Sequence, residues 1–130
     1  MKLILATMMI VLAGTAMAEE ARKPLFTGQL GAAPVQVVYE YLGNRLTNEL
    51  GIGEYQRLAI QQTSAGPENF KKVNIELQMQ GLMDDSVRTQ RFQLGLSFDD
   101  ATSVWLIDSA KQDWQCRRGN SKGWTQKPCK

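Results

Sequence analysis

The chain of 130 residues contains no histidine. That absence removes the side chain most used as a general base near neutral pH and the commonest metal ligand. Only two cysteines are present, Cys116 and Cys129, and no Cys-x-x-Cys occurs. With the pair joined to each other, neither a Ser-His nor a Cys-His nucleophilic site can be assembled. No acidic loop has calcium spacing and no thiolate–imidazole cluster suits zinc, so neither metal nor cofactor is expected. Glycine-rich phosphate loops are absent as well, and Gly51-Ile52-Gly53 reads as a break between helices. There is no internal repeat, low-complexity tract or linker, so one small domain is expected.

Long apolar runs are also scarce. The one conspicuous block, Leu3–Ala13, follows Met1-Lys2 and leads into Ala16-Met17-Ala18 before Glu19-Glu20. A single positive charge, a short apolar segment and small residues two apart describe a secretory signal peptide. The block is too short to remain as a spanning helix. Residues 1–18 are therefore read as a signal peptide cleaved after Ala18, and residues 19–130 as a single α+β domain in the periplasm or outside the cell. The competing reading is a buried N-terminal helix, which would need a partner for Met8, Met9, Ile10 and Val11. Export places Cys116 and Cys129 in an oxidising compartment, where two cysteines have a single possible connectivity. Closing that loop is worth roughly 3 kcal/mol in the chain-entropy model.

What is there is patterned. Pro34 suits the first position of a helix, and Val35, Val38, Leu42, Leu46 and Leu50 recur at spacings of three and four. Two consecutive helices are expected, over residues 34–50 and 54–63, the second ended by Ser64-Ala65-Gly66-Pro67. From Phe70 the period changes to two. Val73, Ile75, Leu77 and Met79 alternate with polar residues, as do Phe92, Leu94, Leu96 and Phe98, which is the signature of half-buried strands. Strands over 103–107 and 112–118 complete the series, with turns at 81–86, Asp99-Asp100 and 108–111. The expected fold is α+β: N-terminal helices packed on a four-stranded antiparallel meander that ends in a disulfide loop. Leu25–Leu30 is expected to be a short strand or an extended strap.

Charge is uneven. The net charge is +2, of which Arg117, Arg118, Lys122, Lys127 and Lys130 contribute +5 without an acidic neighbour after Cys116, leaving −3 for the rest. Two of the three tryptophans, Trp114 and Trp124, lie in the same tail. The candidate binding residues are Arg117, Arg118, Lys122, Trp124 and Lys127. Trp124 is read either as a lid over the disulfide or the open end of the sheet, or as an aromatic anchor inside a ring of positive charge for an anionic partner. The basic residues are read either as that ring or as plain solubilising charge. Nucleic acid is set aside because of export and modest net charge. Asp84-Asp85 and Asp99-Asp100 fall in turns, where aspartate is favoured locally.

The run Trp114-x-Cys116-Arg117-x-Gly119, followed by Trp124 and Cys129, resembles the closing signature of small exported bacterial proteins of uncharacterised function. Asn120-Ser121-Lys122-Gly123 departs from that signature. The plan of helices followed by a meander is similar to cystatin-like folds, which implies inhibitors, ligand pockets or structural modules alike. The leading expectation is a non-enzymatic periplasmic or secreted interaction domain that contacts a protein or anionic envelope component through its basic, aromatic tail. The alternative is a small apolar-ligand carrier with a pocket between sheet and helices lined by Tyr39, Phe92, Phe98 and Trp105. A third reading is an enzyme that relies on carboxylates alone.

Overall fold

The computed structural model describes residues 23–119 and 123–130. The expected signal peptide and Lys122 lie outside the described residues. One antiparallel sheet dominates. Its strands are β1 (Phe26–Thr27), β2 (Arg57–Ser64), β3 (Lys72–Gln80), β4 (Val87–Asp99) and β5 (Val104–Cys116), in the order β1-β5-β4-β3-β2. Among the described residues a single helix, α1 (Pro34–Leu42), continues into a short 3₁₀ turn at Gly43–Arg45. The structure therefore overturns the expected α+β plan of helices over a four-stranded meander: the described residues form a five-stranded sheet with one short helix on it.

Three corrections account for the difference. The first helix starts at Pro34 as expected, and Gln36 Oε1 accepts the Ala33 N–H at 2.7 Å in the manner of half a capping box. It stops at Leu42 instead of residue 50, because Gly43 adopts φ 41°, a conformation that glycine takes without strain. Leu46 still reaches the core, whereas Leu50 is 78% exposed. The second expected helix, 54–63, is the edge strand β2. Its core-facing positions, Leu58, Ile60, Gln62 and Ser64, pair with Met79, Leu77, Ile75 and Val73, and only the first two are apolar. The alternation that marks a strand is thus lost halfway along. Thirdly, the expected strands at 103–107 and 112–118 are one strand, β5. What reads as a turn at 108–111 is an irregularity: Gly95 pairs with Ser109 and Leu96 with Ile107, which leaves Asp108 as the extra residue of a bulge.

The alternation in the middle of the chain does place the core. Val73, Ile75, Leu77 and Met79 of β3 and Phe92, Leu94 and Leu96 of β4 are buried, packed with Ile107 of β5 and with Val37, Val38, Leu42 and Leu46. The opposite face of the sheet carries Asn74, Glu76, Gln78, Arg91, Gln93, Lys111 and Asp113. β1 covers one end of the open edge of β5, where Phe26 pairs with Ile107, and Gly28 N–H donates to Trp105 O at 2.8 Å. The turn at 81–86 lies where the sequence placed it, shaped by Asp84 Oδ1, which accepts from Ser86 N–H at 2.7 Å and Val87 N–H at 3.2 Å. The turn expected at Asp99-Asp100 extends to Ser103, one residue into the expected strand.

Candidate functional site

Beyond β5 the chain turns back along the same strand. Trp114 and Thr125 form an antiparallel bridge, with Trp114 N–H to Thr125 O at 3.0 Å and Thr125 N–H to Trp114 O at 2.9 Å. The Trp114 indole N–H donates to Lys127 O at 2.8 Å, and Gln126 Nε2 to Gln112 O at 3.3 Å. Cys116 and Cys129 are bonded, with Cα atoms 5.4 Å apart. The tail is therefore an added strand segment held at both ends, and it covers the end of the β5 edge that β1 leaves open.

Bridge geometry decides where the next side chain points. Paired residues share a face, so Thr125 points with Trp114 and Trp124 points to the opposite, polar face. There its ring lies over the Arg91 guanidinium, whose central carbon is 3.9 Å from the ring centroid. Arg91 in turn grips Asp113, its cross-strand partner, with Nε to Oδ1 at 2.8 Å and Nη2 to Oδ2 at 2.6 Å. Asp113 is 3% exposed. The hydrogen bond to Asp113 raises the Arg91 pKa above its ordinary value, burial opposes it, and the charges of Asp113 and Glu76 add to it. A bidentate ion pair under an indole roof is a strongly held unit.

The basic residues differ in what they do. Arg117 faces inward to the turn between β3 and β4, donating from Nε to Asp84 O at 2.9 Å and from Nη2 to Leu82 O at 2.5 Å. Its backbone N–H bonds Ser86 O at 2.9 Å. The Asp84 carboxylate is held below its ordinary pKa, chiefly by the backbone hydrogen bond from Ser86, then by the Ser86 hydroxyl and Val87 N–H, with Arg117 contributing last. Arg118 and Lys127 are exposed, and neither side chain has a polar partner among the described residues. Arg118 stands beside Gln80, Arg88, Gln115 and Arg117 at a shallow depression of about 820 Å³.

The four aromatic residues expected to line an apolar pocket are not brought together. Phe92 is 2% exposed at the centre of the core, whereas Tyr39 is 40% exposed on α1. Phe98 and Trp105 meet edge to face, with centroids 5.6 Å apart. A cleft of about 610 Å³ does open beside the 3₁₀ turn, with Arg45, Glu54, Tyr55, Met79, Gln90 and Trp114 in its lining, and none of the four belongs to it. The sequence reading missed both this cleft and the Arg91–Asp113 pair. Each depends on register between distant segments, and no spacing in the chain signals it. Among the described residues, no helix is long and apolar enough to cross a membrane. No protein-family model, no curated protein and no solved structure matches the chain.

Proposed function

We propose that the chain is an exported, non-enzymatic interaction domain, and that its disulfide-closed tail is the contact surface for an anionic protein or envelope component. The observation that carries this reading is the bracing of the tail. A disulfide, a backbone bridge and the Trp124–Arg91 stack hold the described part of a tail whose charged side chains are all basic. A segment fixed before contact loses little conformational freedom on binding, so its charges are worth more to a partner. The bonded cysteines suit an oxidising compartment. Arg118 and Lys127, exposed and unpaired among the described residues, are the contact residues of this reading, and Arg117 and Trp124 hold the surface in shape.

The test is capture from envelope extract by three folded, disulfide-intact proteins: the wild type, Arg118→Glu with Lys127→Glu, and Lys72→Glu at the far end of the sheet. A partner kept by the wild type and by Lys72→Glu, and lost from the tail variant, is the expected result. Three identical capture profiles would overturn the proposal.

A further inference from the structure

The cleft beside the 3₁₀ turn lies on the core side of the sheet, away from the Trp124 roof. Its walls are preformed. Asn48 Oδ1 accepts from Leu50 N–H at 2.9 Å and Ile52 N–H at 3.0 Å, and Asn48 N–H donates to Ile52 O at 2.9 Å. These bonds tie the loop after α1 into a fixed rim. The opposite wall comes from the ends of β3, β4 and β5, with Met79, Gln90 and Trp114. At about 610 Å³ the cleft falls within the range of small-molecule sites.

Two opposite charges stand in this lining without neutralising each other. Arg45 is held over two rings, its guanidinium carbon 5.0 Å from the Tyr41 centroid and 5.7 Å from that of Phe92. Neither it nor Glu54 makes an ion pair among the described residues. Asp84, the remaining acid of the lining, is engaged by Ser86 and Val87. Gln90 adds a half-buried amide with no side-chain hydrogen bond among the described residues. Asn44, Thr47 and Asn48 add polar groups, and the remainder is apolar or aromatic: Leu46, Tyr55, Met79, Leu82, Val87 and Trp114, with Ile52 and Met83 at the rim, 56% and 76% exposed. A cation, an anion and an amide above apolar walls match a ligand with a carboxylate, an ammonium group and apolar side chains.

We propose that this cleft binds a zwitterionic amino acid or short peptide with apolar side chains. Arg45 takes the carboxylate, Glu54 the ammonium group and Gln90 a peptide or carboxylate oxygen, while Tyr55, Leu82 and Trp114 cover the side chains. Charge-assisted hydrogen bonds are the strong ones, so the two termini carry most of the selectivity.

Calorimetric titration of the disulfide-intact protein with Leu-Leu, N-acetyl-Leu-Leu, Leu-Leu amide and free leucine tests this. Blocking either terminus is expected to weaken binding by roughly tenfold or more. Arg45→Met should weaken Leu-Leu by a similar factor and leave the amide unchanged. Glu54→Gln, at an exposed position, should weaken Leu-Leu and leave the N-acetyl form unchanged. Tighter binding of leucine than of Leu-Leu would identify the ligand as a free amino acid, and the reverse order as a peptide. No heat from either at millimolar concentration, or equal affinity for blocked and unblocked forms, would overturn the proposal. Arg118→Glu with Lys127→Glu should titrate like the wild type, which separates this site from the tail.

Discussion

Asp113 is an acidic side chain in a place where an isolated charge is costly. At 3% exposure it has lost almost all contact with water, and what replaces the water is the fork of Arg91. Removing one member of such a pair leaves the other buried and uncompensated, whereas removing both costs much less. The Arg91 side chain is 17% exposed, which tempers the effect. Arg91→Leu is expected to destabilise the protein by about 2–3 kcal/mol. Arg91→Leu combined with Asp113→Leu should recover at least half of that loss. Urea unfolding of the two single variants and the double variant checks this: additive losses across the cycle would contradict it. Neither residue announces its partner in the sequence. Asp113 sits in a tail dense with notable residues, and Arg91 follows a polar run. Only the β4–β5 register sets them opposite each other.

At the scale of elements, the strap that carries β1 is held by a close approach. A Cβ on Gly28 would lie 2.6 Å from Val37 Cγ2 and 2.9 Å from Trp105 O, a side chain of α1 and a backbone oxygen of β5. Neither can retreat without moving its element. Gly28→Ala should therefore cost about 1–3 kcal/mol, as overpacking does. Gly95 offers a control, since its nearest atom, Ser109 Oγ at 2.7 Å, belongs to a side chain that can rotate. Gly95→Ala should have a clearly smaller effect, and thermal unfolding of the two variants distinguishes them. Equal losses would mean that the strap does not pack as described. The core faces of β3 and β4 were legible because polar and apolar residues alternate along their central residues. β2 was not, since its second half puts Gln62 and Ser64 on the core side at the sheet margin, where a strand needs fewer apolar residues to be held.

For the molecule as a whole, the disulfide and the bridge at Trp114 close the sheet where β1 cannot reach. Replacing Cys116 and Cys129 by alanine opens a loop of sequence separation 13 and should cost about 3 kcal/mol in the chain-entropy model. The denaturation midpoint should fall with little change in slope. Hydrogen exchange should also quicken at Thr125 N–H and at the Trp114 indole, both bonded across the bridge. Unchanged exchange at those two sites would show that the bridge stands without the crosslink. The Trp124–Arg91 stack and the cleft occupy opposite faces at this end of the sheet. Trp114 borders both, its backbone and indole N–H bonded to the tail and its side chain in the cleft lining.

By itself the sequence determined the start of α1 at Pro34, the core-facing residues of β3 and β4, the turns at 81–86 and at Asp99-Asp100, and the pairing of its two cysteines. Each is recorded locally, in a ring that presets φ, a period of two, a cluster of turn residues or a single possible connectivity. Only the tertiary structure decided that residues 57–64 are an edge strand, that β5 runs unbroken through a bulge, that Arg91 meets Asp113 under Trp124, and that Arg45 and Glu54 share a cleft. The physical reason is that backbone hydrogen bonds between strands are nearly the same for every residue type. Register and edge pairing are therefore set by contacts between distant segments, and the spacing within any one segment does not record them.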